Sequence, residues 1–82
     1  MNEWGSHMEN LILRDKLHNE IANSRKMIDI LYNSIYNLED NARRGLITVD
    51  DAKNYYSKWT KSIDNHFIYI EICTAQIINL IS

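Results

Sequence analysis

Between Ser6 and Ser82 the chain holds one glycine, Gly45, and no proline. Those two residue types are the strongest local terminators of helices, so long helices are the default on both sides of Gly45. The apolar residues on each side recur with helical period. Upstream, Leu17, Ile21, Ile28, Leu31, Ile35, Leu38 and Ala42 follow three- and four-residue steps, with Ser24 filling the single gap. Downstream, Ala52, Tyr56, Trp59, Ile63, His66, Ile70, Cys73, Ile77 and Leu80 alternate four and three without a break. Both are the a/d seam of a heptad. The pattern predicts an all-α fold: an antiparallel, coiled-coil-like two-helix hairpin, with helices over about 9–44 and 49–81 joined by a turn at 45–48.

The turn itself is written in capping chemistry. Gly45 stands where a helix end wants a left-handed residue. Thr48 is a good N-cap for the next helix, and Asp51, three residues on, makes a box-like T-x-x-D signal. Ile47 is placed to staple onto Ala52. Asp50 and Asp51 suit the positive end of the second helix dipole, and Arg43 and Arg44 the negative end of the first. Glu39 with Arg43 and Asp40 with Arg44 are expected as i,i+4 pairs, each contributing a few tenths of a kcal/mol. The stretch Arg44-Gly45-Leu46-Ile47-Thr48, with Asp51 and Ala52 after it, is similar to the helix–helix junctions of many short bacterial and phage helical modules. That likeness implies a turn and nothing about activity.

Folding about this turn tests the two seams against each other. In an antiparallel pair, a positions face d positions. Setting Ala42 against Ala52 sets Leu38 against Tyr56, Ile35 against Trp59 and Leu31 against Ile63. It then sets Ile28 against His66, Ser24 against Ile70, Ile21 against Cys73 and Leu17 against Ile77. Every a meets a d, over arms of roughly 50 Å.

One stripe per helix does not use up the apolar residues. Phe67, Ile68, Tyr69, Ile72, Ala75, Ile78 and Ile81 lie off the second seam, and Leu11, Ile12, Leu13, Met27, Ile30, Tyr32 and Tyr36 off the first. A chain of 82 residues buries only about 60% of its unfolded surface and needs a staple or a partner. One cysteine rules out an internal disulfide. The expectation is therefore a homodimer or higher homo-oligomer, in the first instance a four-helix bundle, together with a protein partner. The expected anchors are Tyr32, Tyr36, Phe67, Ile68, Tyr69, Ile72, Ile78 and Ile81.

The chemistry-bearing residues point away from catalysis. His66 falls on the seam and reads as a packed histidine rather than a pH switch or metal ligand. His18 and Cys73 add no converging set of three or four donors, so no metal is expected. Cys73 reads as a small buried hydrophobe, too far from His66 along its helix to form a nucleophile pair. There is no glycine-rich phosphate loop and no carboxylate pair in a cleft, so neither enzyme activity nor a cofactor is expected. The five tyrosines suit a subunit or partner interface.

Nine Lys and Arg against eleven Asp and Glu, a net charge of −2, is not the footprint of a general nucleic-acid binder. The weaker alternative is a small dimeric RNA- or DNA-binding regulator using Arg43, Arg44 and Lys53 at the turn end, where Asp50 and Asp51 offset them. The most apolar stretch, residues 63–81, carries Asp64, His66 and Glu71, which makes a membrane span costly. A single thiol and no secretory leader suggest a reducing, cytoplasmic setting. The Asn- and Ile-rich composition suggests a phage or low-GC bacterial origin. Gly5-Ser6-His7-Met8 has the look of a cleaved-tag remnant, so residues 1–7 are expected to be foreign or frayed, with the single domain spanning 8–82. Taken together, these features predict a non-catalytic protein–protein interaction module, a small adaptor, regulator or inhibitor.

Overall fold

The computed structural model describes the backbone of residues 3–81 and the side chains of residues 8–80. It is all-helical among those residues: α1 (Glu3–Arg43) and α2 (Val49–Ile81) lie side by side as a hairpin. The molecule is a rod whose backbone extends 65 × 14 × 14 Å. With 41 residues against 33, α1 runs past the end of α2 at the open end of the hairpin. Against the expectation of a foreign or frayed 1–7 and a first helix starting at about 9, the backbone of 3–7 continues α1 upstream, while Met1, Asn2 and the side chains of 3–7 lie outside the described residues.

The turn is built by two sets of caps. Gly45 has φ +74°, the left-handed conformation that a Cβ disfavours. Its N–H donates to the Ala42 carbonyl at 3.1 Å, and the Leu46 N–H donates to the Asn41 carbonyl at 2.9 Å. These are the paired 5→2 and 6→1 bonds of a Schellman motif, which satisfy the orphan carbonyls of α1. On the other side, Thr48 Oγ1 accepts the Asp51 N–H at 3.2 Å, and the Thr48 carbonyl accepts the Ala52 N–H at 2.9 Å. Thr48 is thus the N-cap. One detail departs from expectation: Arg43 turns to Asp40 at 4.0 Å and not to Glu39, joining Arg44, which lies 3.2 Å from the same carboxylate. Asp40 thereby collects both guanidinium groups.

The seams pack in the expected register. Leu17, Cys73 and Ile77 form one buried cluster, with Ile21 and Leu80 against it. Ile28, Ile35 and Ile63 form a second, with Leu31, Trp59 and Ile70 against it. Between the two lies a polar layer. Ser24 is buried, and His66 is half-buried close by. Serine in the seam leaves no apolar side chain to join the clusters, so the core is divided in two.

Tyr56 is the one seam residue that the packing leaves out, at 49% exposed. Next to the turn, Ala42 and Ala52 are too small to hold the helices apart by a ring width. Tyr56 instead edges a small apolar notch with Leu38, Ala42, Val49 and Ala52, closed on its rim by Glu39 and Lys53. A tyrosine tolerates such an edge because its hydroxyl stays in water.

Candidate interaction surface

With the seam spent on holding the hairpin together, any partner must meet another face. Successive residues advance about 100° around a helix. On that wheel Ile68, Ile72, Ala75 and Ile78 fall within about 50° of the point on α2 opposite the seam. They form the side of α2 turned away from α1, and the three isoleucines are each about half exposed, at 54, 50 and 54%. From Ile72 to Ser82 the sequence carries no charged side chain. Glu71, seven residues before Ile78, lies on the same side of α2. The outward side of α1 presents Asp15, Lys16, Asn19, Lys26, Asp29 and Asn33, all exposed, together with Ile12, Ile30 and Tyr36.

The remaining anchor residues do not join that band. Phe67 lies on one flank of the hairpin, and Tyr32 lies on the same flank about one and a half helical turns further toward the turn. Tyr36 lies beyond it, toward the outside of α1. All three are exposed. Tyr69 lies on the opposite flank. The side chain of Ile81 is outside the described residues. The structure thus distributes the anchors over an outer band, a flank carrying Phe67 and the two α1 tyrosines, and Tyr69 alone. A second concentration was not singled out as an anchor: Met8, Leu11 and Ile12 are exposed on α1 at the open end of the hairpin.

Tyr69 has a defined role within the hairpin. Its hydroxyl donates to Glu20 Oε2 at 3.1 Å, bridging the two helices. The bond to the carboxylate, and after it the adjacent Cys73 thiol, holds the phenol proton in place and pushes its pKa up to about 12. Sequence reasoning missed this pair. The signal was present, because Glu20 and Tyr69 both occupy g positions, and g faces g in an antiparallel pair. Beside the bond an open cleft of about 420 Å³ is lined by Asn23, Ser24, Met27, Asn65 and His66. Among the described residues no buried side-chain polar atom lacks a hydrogen-bond partner, so the cleft offers no orphaned group aimed at a ligand.

Cys73 is a free thiol, 2% exposed, and packs as an apolar side chain. Among the described residues no group of three or more His, Cys, Asp or Glu side chains is placed to hold a metal ion. No helix among the described residues is long and apolar enough to cross a membrane. At the turn end Arg43 and Arg44 remain about 70% exposed while sharing Asp40, and Lys53 stands next to Glu39 on the notch rim. Asp40 offsets the two guanidinium groups, which weakens the field that the end could present to a phosphate backbone. Trp59 is half-buried and stacks on Tyr55 at 5.5 Å with the rings tilted by 38°, an i,i+4 contact within α2.

No protein-family model, no curated protein and no solved structure matches the chain.

Proposed function

We propose that this chain is a non-catalytic protein–protein interaction module, a small cytoplasmic adaptor or regulator that self-associates into a four-helix bundle and binds another protein. One observation carries the reading: the hairpin leaves large apolar side chains exposed, with Ile68, Ile72 and Ile78 on the side of α2 turned away from α1 and Tyr32, Tyr36 and Phe67 toward one flank. Exposed apolar surface of this kind marks a binding site more often than it serves any other purpose. Tyr32, Tyr36 and Phe67, with apolar bodies on one flank, are the anchors proposed for the protein partner, since aromatic residues are enriched at interfaces. The single buried thiol accords with a reducing compartment.

The test is affinity capture from cells of the native host with the wild-type chain and with a Tyr32→Ala/Tyr36→Ala/Phe67→Ala triple variant, read by mass spectrometry. A protein held by the wild type and lost by the variant supports the reading. Recovery of the same proteins by both chains removes the flank from it. Binding to RNA or DNA that survives moderate salt and disappears in Arg43→Glu/Arg44→Glu would replace the reading with a nucleic-acid one.

A further inference from the structure

We infer that the hairpin is built as two units of unequal strength, a turn half that stays closed and an open half that parts by itself. The polar layer at Ser24 and His66 is the division between them, and the Tyr69–Glu20 hydrogen bond is the latch on the open half. None of this depends on which partner the chain binds.

The two halves bury different amounts of apolar surface. Toward the turn, Ile28, Ile35 and Ile63 are buried, and Leu31, Trp59 and Ile70 pack against them. Toward the open end the buried set is Leu17, Cys73 and Ile77, with Ile21 and Leu80 against it. A cysteine there takes the place of a branched aliphatic side chain. Stabilisation by burial scales with apolar area, so the open half is the weaker of the two.

Connectivity sets the order in which they come apart. The Schellman bonds after α1 and the Thr48 cap of α2 tie the arms together next to the turn half. That half can stay closed while the other parts. The reverse would ask the open half to close a loop of most of the chain unaided. Each helix has one neighbour, so parting the open half disrupts no third element.

The polar layer gives the opening a place to stop. Ser24 is buried and His66 half-buried, and both line the open cleft of about 420 Å³. They pass little apolar burial from one cluster to the other, and water solvates both groups when the helices separate. Tyr69 and Glu20 lie about one turn from His66 and Ser24, on the open side of the layer. Their bond of 3.1 Å crosses between the helices and must break when the open half parts. Opening then bares Leu17, Cys73 and Ile77 while the turn half keeps the register in which they pair again.

Amide hydrogen exchange resolved along the full chain by NMR tests this. Residues 14–22 and 71–77 are expected to share one level of protection, about tenfold or more below that of 28–38 and 56–66. Exchange from the turn half needs the whole hairpin to open, whereas exchange from the open half does not need the turn half to open. Thr48→Ala is therefore expected to speed exchange in the turn half about fivefold and to leave the open half unchanged. Tyr69→Phe keeps the ring and removes the bond, and it is expected to speed the open half about two- to tenfold. Ser24→Leu, for which the cleft leaves room, is expected to join the clusters and raise the open half to the protection of the turn half. A single level of protection through both halves overturns the inference. So does a smooth decline from the free ends, or a Thr48→Ala that speeds both halves alike. An unchanged open half in Tyr69→Phe overturns the latch, and a step that persists in a folded Ser24→Leu overturns the polar layer as the division. If Ser24→Leu does not fold, the wild type and the other two variants decide.

Discussion

Gly45 shows how much a single backbone position can decide. A Cβ built on it meets nothing within 4 Å, so packing does not demand glycine there. Its φ of +74° does. Gly45→Ala is therefore expected to lower stability by about 1–2 kcal/mol, the cost of a left-handed alanine, in urea unfolding followed by circular dichroism. A loss below a few tenths of a kcal/mol would mean that the turn does not hold this conformation in solution. Thr48→Ala removes one N-cap bond, and about 1 kcal/mol is the expected cost.

Tyr69 is the other residue with a sharp signature. Its pKa is raised to about 12 from the ordinary 10. A group whose pKa is higher in the folded state contributes fully below its unfolded value and loses that contribution as pH rises through the folded one. The bond to Glu20 should accordingly act undiminished up to about pH 10 and fade between about 10 and 12. The difference in tyrosinate absorbance between wild type and Tyr69→Phe is expected to titrate near 12. A midpoint near 10 would show that the bridge to Glu20 is not formed.

For the helices themselves, stability comes from the two apolar clusters and the polar layer between them. Ile63 is 5% exposed and central to the cluster nearer the turn. Ile63→Ala should cost about 3 kcal/mol, the transfer and cavity terms together, whereas Ile30→Ala on the exposed side of α1 should stay within about 0.5 kcal/mol. Ser24 offers the opposite case. Replacing this buried serine with alanine raises helix propensity and bridges the two clusters with an apolar group. Ser24→Ala should stabilise by about 0.5 kcal/mol, seen as a rise of a few degrees in Tm. A fall would mean that the hydroxyl supports His66 or the cleft in a way that alanine cannot. The seam residues behind these numbers were legible in the heptad spacing. The exposed Tyr56 was not, because spacing records which side a residue lies on and not whether the gap between two alanine layers is wide enough for a ring.

Taken as a whole, the molecule is a rod that leaves apolar side chains exposed on both helices. Cys73 serves as a reporter of its integrity. It sits 2% exposed in the seam near the open end, so a thiol reagent reaches it only when the helices part. Reaction with Ellman's reagent is expected to be slow in buffer and to accelerate with urea in parallel with loss of helical signal. Prompt reaction in buffer would show that the open end frays.

Two long helices, the capped turn and the register of one seam on the other followed from the sequence alone. The reason is that capping bonds and heptad periodicity are local, and a short turn leaves two helices only one way to face each other. The tertiary structure decided what depends on distance across the gap between them. It joined Tyr69 to Glu20, gave both arginines to Asp40, and set Tyr56 at an edge. It also sorted the surplus apolar residues into an outer band on α2 and a separate flank. A list of off-seam residues cannot make that division, because a face exists only once the neighbouring helix has taken its own.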